Sequence, residues 1–507
     1  MSDSILRGGR IIGPDGRAIH QDIMIRDGAI AAIDRPGSFT SETPQRIDAT
    51  GMLLHPGLMN GHTHSQGALA RGLGDRWTLE LILVAGPWAY GGRTLAEKRL
   101  SATINAAEMA LKGCTAAYDL FYEFPVPSEE GMAAVAEAYA DVGIRLTLAP
   151  MVADRTFYEA IPGLLEAIPD EMRRGLDIAA LAPAADTMQA MASAFACWPF
   201  PQDRVQFALA PTIPLHCSDD FMVACARLAA DYGVGCQTHL AETKVQAVSG
   251  LKTYGKSLTH HLDDLGLLSD RFSGAHAIWL DDDDMDRLAR AGASIVNNAA
   301  SNMHCGAGLA DIRAMADRGV NLAIGTDGSI CSDNQNMYEA MHIASLASKV
   351  RGPHTDDWIT AAEVLTAATE GSAKAMGLNA RLGKLAPGYH ADVVFLDTRN
   401  INMIPLNNPV NQIVHAEDGT SVHSVMVDGE FIVRDRRLTR IDISKLAEEA
   451  EAAVDRLSAA NAEVRRFCEK MAGVVNRFCP ALSAESYPVD RYGTCQSCGG
   501  RHDAVIA

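Results

Sequence analysis

Between residues 53 and 325 the chain repeats one pattern, a short apolar, β-favouring run followed by a helical stretch. Strand candidates fall near 53–60, 115–120, 144–150, 205–211, 234–239, 272–277, 293–297 and 320–325. The connections hold helix-forming sequence, for example Glu129 to Asp141, Asp219 to Asp231 and Asp282 to Ala291. Parallel strands need crossovers of this length, and strands covered by helices on both faces read as near-continuous apolar runs. Eight such units over about 330 residues predict an α/β protein built on a TIM-type (β/α)8 barrel with insertions.

Four of these runs stop at a side chain that binds metal or carries protons. In Leu53-Leu54-His55-Pro56-Gly57-Leu58-Met59-Asn60-Gly61-His62-Thr63-His64 the last two histidines are two residues apart. In an extended strand such residues share a face, so both imidazoles can point at one centre. His239 closes Val234-Gly235-Cys236-Gln237-Thr238-His239, His276 closes Phe272-Ser273-Gly274-Ala275-His276, and Asp327 closes Val320-Asn321-Leu322-Ala323-Ile324-Gly325-Thr326-Asp327. Neutral imidazole is the commonest protein ligand for zinc and related divalent metals. One HxH is a weak signal. The recurrence of a run that stops at such a side chain, at the ends of strands one, five, six and eight, is a strong one, because barrels of this kind place their chemistry at the C-terminal ends of the strands.

The two ends of the chain read differently. Residues 5–55 alternate and turn often, with Asp15-Gly16 and Asp27-Gly28 as hairpin signals, and a similar texture returns near 385–440. Neither stretch is long enough alone, so residues 1–56 and 386–440 are expected to form one composite β-sandwich around a barrel spanning 57–385. Residues 441–507 form a helical C-terminal extension. Leu457, Asn461, Val464, Cys468, Met471, Val475 and Phe478 make its apolar stripe, which packs on the body or on a second subunit. The tail carries Cys495 and Cys498 in a CxxC with His502 nearby; Cys479 could add a further ligand for a structural zinc, with an ordinary exposed tail as the plainer reading.

Composition narrows the partners. Lys and Arg total 44 against 63 Asp and Glu, a formal charge of −19, which repels nucleic-acid phosphates and anionic lipid. A small-molecule substrate, no nucleic acid and no membrane are therefore expected. No segment reads as a signal peptide or a spanning helix, and the eleven cysteines fit buried reduced thiols, so a cytoplasmic protein is expected. The acidic surface and the striped helix point to a homodimer or higher homo-oligomer.

Across roughly residues 5–435 the sequence resembles the amidohydrolase superfamily, especially its branch of mononuclear-metal deaminases and chlorohydrolases. The resemblance rests on Pro56-Gly57-Leu58-Met59-Asn60-Gly61-His62-Thr63-His64, His239-Leu240-Ala241-Glu242, Ser301-Asn302-Met303, Gly325-Thr326-Asp327-Gly328 and Gly383-Lys384-Leu385-Ala386-Pro387-Gly388-Tyr389-His390-Ala391-Asp392. It implies that His62, His64, His239 and Asp327 hold one divalent metal, zinc first and iron second. It also implies that Glu242 shuttles protons and that His276 contacts the bound water or substrate. No lysine ends strand three or four where binuclear relatives use a bridging carbamate. The chain is most similar to the methylthioadenosine or S-adenosylhomocysteine deaminases and the triazine hydrolases. It departs from the adenosine-type pattern in Ala210-Pro211-Thr212-Ile213-Pro214-Leu215-His216, where Thr212 replaces a histidine. A second departure is Asn297-Asn298-Ala299-Ala300-Ser301-Asn302, where the family usually reads His-Cys-Pro before Ser-Asn. Both changes put an adenosine-type substrate in doubt and leave the hydrolytic residues whole.

Three imidazoles, one carboxylate and an open position make a hydrolytic site, in which coordination lowers a water's pKa from 15.7 to about 7. The expected function is a metal-dependent hydrolytic deaminase of an amino-substituted heterocycle, with metal-bound hydroxide attacking and ammonia leaving. Asp327 would take the water proton, Glu242 would protonate the ring nitrogen or leaving group, and His276 would polarise the centre. The alternative is a hydrolase removing an alkylamino, chloro or amide group from a triazine-like or urea-like compound; a metal-free structural homologue is a remote third. Candidate substrate contacts are Trp88, Asn302, His304, Arg155, Thr212 and His216, with Trp77, Phe121 and Tyr122 as further candidates for an aromatic wall.

Overall fold

The structure, a computed structural model, describes residues 3–13, 15–40 and 45–492. Eight parallel strands lie side by side in chain order: β1 (Leu58–Thr63), β2 (Cys114–Phe121), β3 (Arg145–Val152), β4 (Val205–Pro211), β5 (Gly235–Leu240), β6 (Phe272–His276), β7 (Ser294–Asn297) and β8 (Asn321–Ile324). Beyond the end of β8 the Asp327 N–H donates to the His62 carbonyl at 2.9 Å, which brings the last strand against the first. The approach is tight at Gly61, where a Cβ would sit 3.0 Å from Val296 Cγ1 and 3.1 Å from the Ile324 carbonyl oxygen. Only glycine lets the two strands come this near.

The apolar run at 53–60 is two strands rather than one. Met52–Pro56 belongs to a separate sheet and β1 starts at Leu58, with the break at Gly57. A side chain there would collide with Thr115, its Cβ falling 2.0 Å from the Oγ1. Met52–Pro56 pairs antiparallel with Val393–Asp397, Leu54 opposite Phe395, so both ends of the chain meet in one seven-stranded sheet. A four-stranded sheet made by Ser4–Arg7, Asp22–Arg26, Ala29–Asp34 and Gln45–Asp48 packs on it. Leu6, Ile23, Ile25, Leu54, Val393, Phe395 and Met426 form their shared core. Neither end could bury its apolar face without the other.

The C-terminal tract is two helices, Ile443–Ala460 and Ala462–Ser483, separated at Asn461. Asn461 turns inward, its Nδ2 donating to the carbonyls of Trp88 and Gly91, both at 3.0 Å. These lie at the end of the Leu79–Ala89 helix, so the amide satisfies carbonyls left open there. Leu457, Cys468, Met471 and Val475 are buried, and Val464 and Phe478 pack against the same core. The stripe thus packs on this chain's own barrel. After it, Tyr487 Oη donates to the Trp279 carbonyl at 3.1 Å and Arg491 reaches the carbonyls of Ile278 and Leu280, strapping the chain over the end of β6. The CxxC of Cys495 and Cys498, with His502, lies outside the described residues.

The nine described cysteines are unpaired, and all but Cys197 are buried. Among the described residues no helix is long and apolar enough to cross a membrane.

Candidate metal centre and cleft

His62 and His64 leave β1 on one side, His239 ends β5 beside them, and His276 and Asp327 close β6 and β8. The ligand atoms of His62, His64 and His239 lie within 4.8 Å of one another, as do those of His62, His276 and Asp327. Asp327 Oδ1 is 3.2 Å from His64 Nε2 and 3.5 Å from His62 Nε2, while its Oδ2 is 3.8 Å from His276 Nε2. Three residues past His239, Glu242 brings its Oε2 to 3.8 Å from His276 Nε2. All but His64 are buried. Ala241, His276, Ala277 and Asp327 have φ of 45, 69, 49 and 66°. The left-handed region costs a non-glycine residue about 1–3 kcal/mol, and such residues persist where the surroundings over-determine them. Here the sharp turns swing the last side chain of each strand over the barrel mouth.

The outer nitrogen of each ligand imidazole is occupied. His62 Nδ1 meets Gln237 Oε1 at 2.6 Å, His64 Nδ1 the Leu120 carbonyl at 2.9 Å, and His239 Nδ1 the Thr212 carbonyl at 2.6 Å. Because each of these acceptors needs a hydrogen, each imidazole carries its proton on Nδ1 and turns a lone pair inward from Nε2. The Nε2 atoms of His64 and His239 then face each other at 3.1 Å, and His62 Nε2 is buried with no hydrogen-bond partner. Converging lone pairs beside a carboxylate need a cation, and the donor set of three imidazoles and one carboxylate fits a zinc-type ion.

Electrostatics agree with this donor set. Burial, with the neighbouring His62, lowers His64 to about 4; burial and the surrounding imidazoles hold His239 well below the ordinary range. Burial lowers His276 to about 4. Burial alone would raise Asp327, but the imidazoles around it, His62 first and then His64 and His276, hold it well below the usual carboxylate range. Ser301 Oγ donates to its Oδ2 at 2.6 Å and the Gly328 N–H to its Oδ1 at 2.8 Å. Glu242 goes the other way: burial, then the charges of Asp327 and Glu80, push its carboxyl well above the ordinary value. Its Oε2 is buried without a partner.

A cleft enclosing about 1050 Å³ between its walls and mouth opens over this group. Tyr90, Tyr122, Phe124, Phe157 and Tyr158 supply flat faces, and Ile82, Leu83, Met151 and Ile330 fill the gaps. Of the expected substrate contacts, Arg155, Thr212 and His216 line it, as does Tyr122. Thr212 also holds His239 through its backbone carbonyl. Trp88, Asn302 and His304 do not line it. Trp88 lies under the Arg465 guanidinium at 4.8 Å, where the C-terminal extension covers it. Asn302 stands behind His276, its Oδ1 2.8 Å from Nδ1, and so orients that ring. His304 is drawn outward to Asp333 at 3.0 Å. Trp77 packs edge-on against Trp88, and Phe121 is buried in the core and lines a neighbouring chamber, not the cleft.

Three polar residues of the site had no role assigned from the sequence. Gln66, two past His64, lines the cleft with a buried, unpartnered Oε1. Gln237 fixes His62, and Ser301 fixes Asp327. A signal existed for Gln237, which precedes His239 by two in a strand and so shares its inward face.

The model of the amidohydrolase family matches residues 53–432. The chain belongs to the amidohydrolase family. Membership makes this amidohydrolase a hydrolase of carbon–nitrogen bonds other than peptide bonds. It is 31% identical to a 5'-deoxyadenosine deaminase of Methanopyrus kandleri over 409 residues, 80% of this chain and 87% of that one. It is 30% identical to a 5-methylthioadenosine/S-adenosylhomocysteine deaminase of Desulforamulus reducens, over 90% of this chain and 100% of that one. Among solved structures it resembles an atrazine chlorohydrolase of Arthrobacter aurescens complexed with zinc, with a TM-score of 0.79 and 26% identity, covering 89% of this chain and 100% of the other.

Proposed function

We propose that this amidohydrolase is a metal-dependent deaminase that replaces the exocyclic amine of a flat, amino-substituted heterocycle with oxygen, consuming water and releasing ammonia. The observation that carries the proposal is Glu242, a buried carboxyl beside the ligand set whose surroundings favour its neutral form, with an oxygen free of partners. A poor leaving group such as an amine departs only once protonated, and a positioned carboxylic acid meets that need.

In this reading His62, His64, His239 and Asp327 hold one divalent ion, zinc first and iron second, and the intact set argues against a metal-free homologue. Such an ion, when bound, acts as a Lewis acid that makes water nucleophilic near neutral pH. His276, neutral and oriented by Asn302, presents Nε2 to the attacking water and to the polarised ring carbon. Asp327, held ionised, accepts the water proton. Glu242 gives its proton to the ring nitrogen or the departing amine. The aromatic walls hold the ring flat and exclude water.

The lining of the cleft favours a compact aminated or alkylaminated ring over a nucleoside. Among the described residues its only carboxylates are Glu242 and Asp327, which leaves none for a ribose diol, and Thr212 stands where adenosine-type relatives carry a histidine. The test is ammonia release by metal-loaded protein across nucleosides, free purines and pterins, and aminotriazines. Turnover concentrated on the free rings is expected; efficient turnover of S-adenosylhomocysteine would overturn this choice of substrate. Release of an alkylamine or chloride from a triazine is the second reading, supported by the apolar cleft and the resemblance to the chlorohydrolase.

A further inference from the structure

Beside the cleft lies a second chamber that the proposed reaction does not use. Gln66, Tyr90, Tyr122 and Phe124 line both spaces and so form the partition between them. Asn461 and Val464 of the C-terminal helices wall the far side, so the extension completes the chamber. Three charged side chains face it: Arg93, Lys98 and Glu123. Lys98 and Glu123 pair with each other. Arg93 has no carboxylate within ion-pair distance among the described residues. Its Nη1 donates to the Gln66 carbonyl at 2.7 Å and to Ser101 Oγ at 3.3 Å, and its Nη2 to the Ala89 carbonyl at 2.9 Å. Its Nε is shielded from solvent and has no acceptor. The acid nearest in sequence, Glu97, is taken bidentately by Arg456.

An enclosed guanidinium without a counter-ion is costly, because its water is lost and only neutral dipoles and the face of the Tyr90 ring, 5.7 Å away, replace it. With Lys98 and Glu123 cancelling, the chamber keeps one net positive charge. At the partition Gln66 Oε1 is a buried acceptor with no donor. An unfilled cation inside and an unfilled acceptor at the doorway match an N–H near the ring followed by an anionic terminus. We propose that this chamber is a subsite for a carboxylate carried on an arm of the substrate, the aminated ring of which occupies the cleft. The inference rests on the ring-amine reading above for what fills the cleft.

The test is calorimetric binding to the metal-loaded full-length protein of two probes, a diaminotriazine carrying a carboxypropylamino arm and the matching carboxamide. The acid is expected to bind at least about tenfold tighter than the amide, a charge-assisted contact to arginine being the difference. The ratio falls to near one in Arg93→Gln. Val464→Glu, which sets a negative charge on the chamber's far wall, lowers it likewise and decides the matter if Arg93→Gln fails to fold. Equal binding of the two probes by the parent protein, or no binding of the acid, overturns the subsite. Competition by free butanoate as strong as by the armed acid overturns the arm, since the chamber would then take a free anion. Ammonia release from unsubstituted diaminotriazine is measured alongside, so the deaminase reading stands or falls separately from the ratio.

Discussion

Gln237 holds His62 from behind, and its removal tests the metal centre without touching a ligand. The side chain is fully buried, accepts from His62 Nδ1 at 2.6 Å, and donates to the Gly61 carbonyl at 3.2 Å and Ser273 Oγ at 2.9 Å. Gln237→Leu keeps the bulk but leaves the His62 Nδ1 proton without an acceptor, and no water can reach it. The imidazole is then free to shift its proton to Nε2 or to rotate, and either change withdraws the lone pair from the centre. Loss of such an outer partner lowers metal affinity about 10–100-fold, or about 1.4–2.8 kcal/mol. Full burial puts this site at the upper end. Zinc affinity measured against a competing chromophoric chelator is expected to fall about 100-fold, with turnover largely restored at saturating zinc. Ser273→Ala keeps the Gln237–His62 contact and should hold zinc like the parent. Unchanged affinity in Gln237→Leu would refute the reasoning. So would an equal loss in Ser273→Ala, which would mean general loosening of the barrel floor.

Glu242→Gln should keep one divalent ion per chain and the parent's thermal stability while losing about 10²–10⁴ in kcat for ammonia release; near-full turnover would move the acid role elsewhere, first to His276. The contact between Arg456 and Glu97 ties the C-terminal helices to the barrel, and Arg456 with Thr94 holds the Glu97 carboxyl down to about 2. A carboxyl depressed on folding adds stability that is complete above its unfolded pKa, about 4.3, and is lost as pH falls towards 2. Arg456→Met is therefore expected to melt lower than the parent at neutral pH, with the gap closing between about pH 4.3 and 2; a gap independent of pH would show that only packing was lost.

The barrel and the candidate site residues at its strand ends were readable because their signals are local. A strand's apolar run and the residue that ends it lie within eight positions, and strand order follows chain order, so β2 to β8 and His62, His64, His239, His276 and Asp327 could be placed without knowing any contact. The split at Gly57 was not readable, because the side chain that forces it, Thr115, is distant in sequence. Trp88 misled for the same reason: only the folded extension, with Arg465 over its ring, shows that it faces away from the cleft. The cleft walls come from separate loops, at Tyr90, Tyr122, Phe157 and Ile330, which no periodicity links. Asn302 and His304 follow β7 on the active face, yet two residues along a helical turn point in different directions, one to His276 and the other to Asp333.

In the proposed reaction the centre's two carboxyls supply an acid and a base at the same pH. Both are buried, and burial by itself pushes each upward. Asp327 has His62, His64 and His276 around it and two hydrogen-bond donors on its oxygens, so its charged form wins. Among the described residues Glu242 pairs with no lysine or arginine, and burial and two acids, Asp327 and Glu80, favour its neutral form. Ionised Asp327 therefore helps hold Glu242 protonated, and the pair divides the labour before any substrate arrives. That division carries a requirement on order. A proton accepted by Asp327 relieves the repulsion on Glu242 and makes Glu242 a stronger acid at the moment the amine must leave. In the proposed reaction, proton uptake at one carboxyl and release from the other would then be coupled through the field between them, without any movement of the backbone.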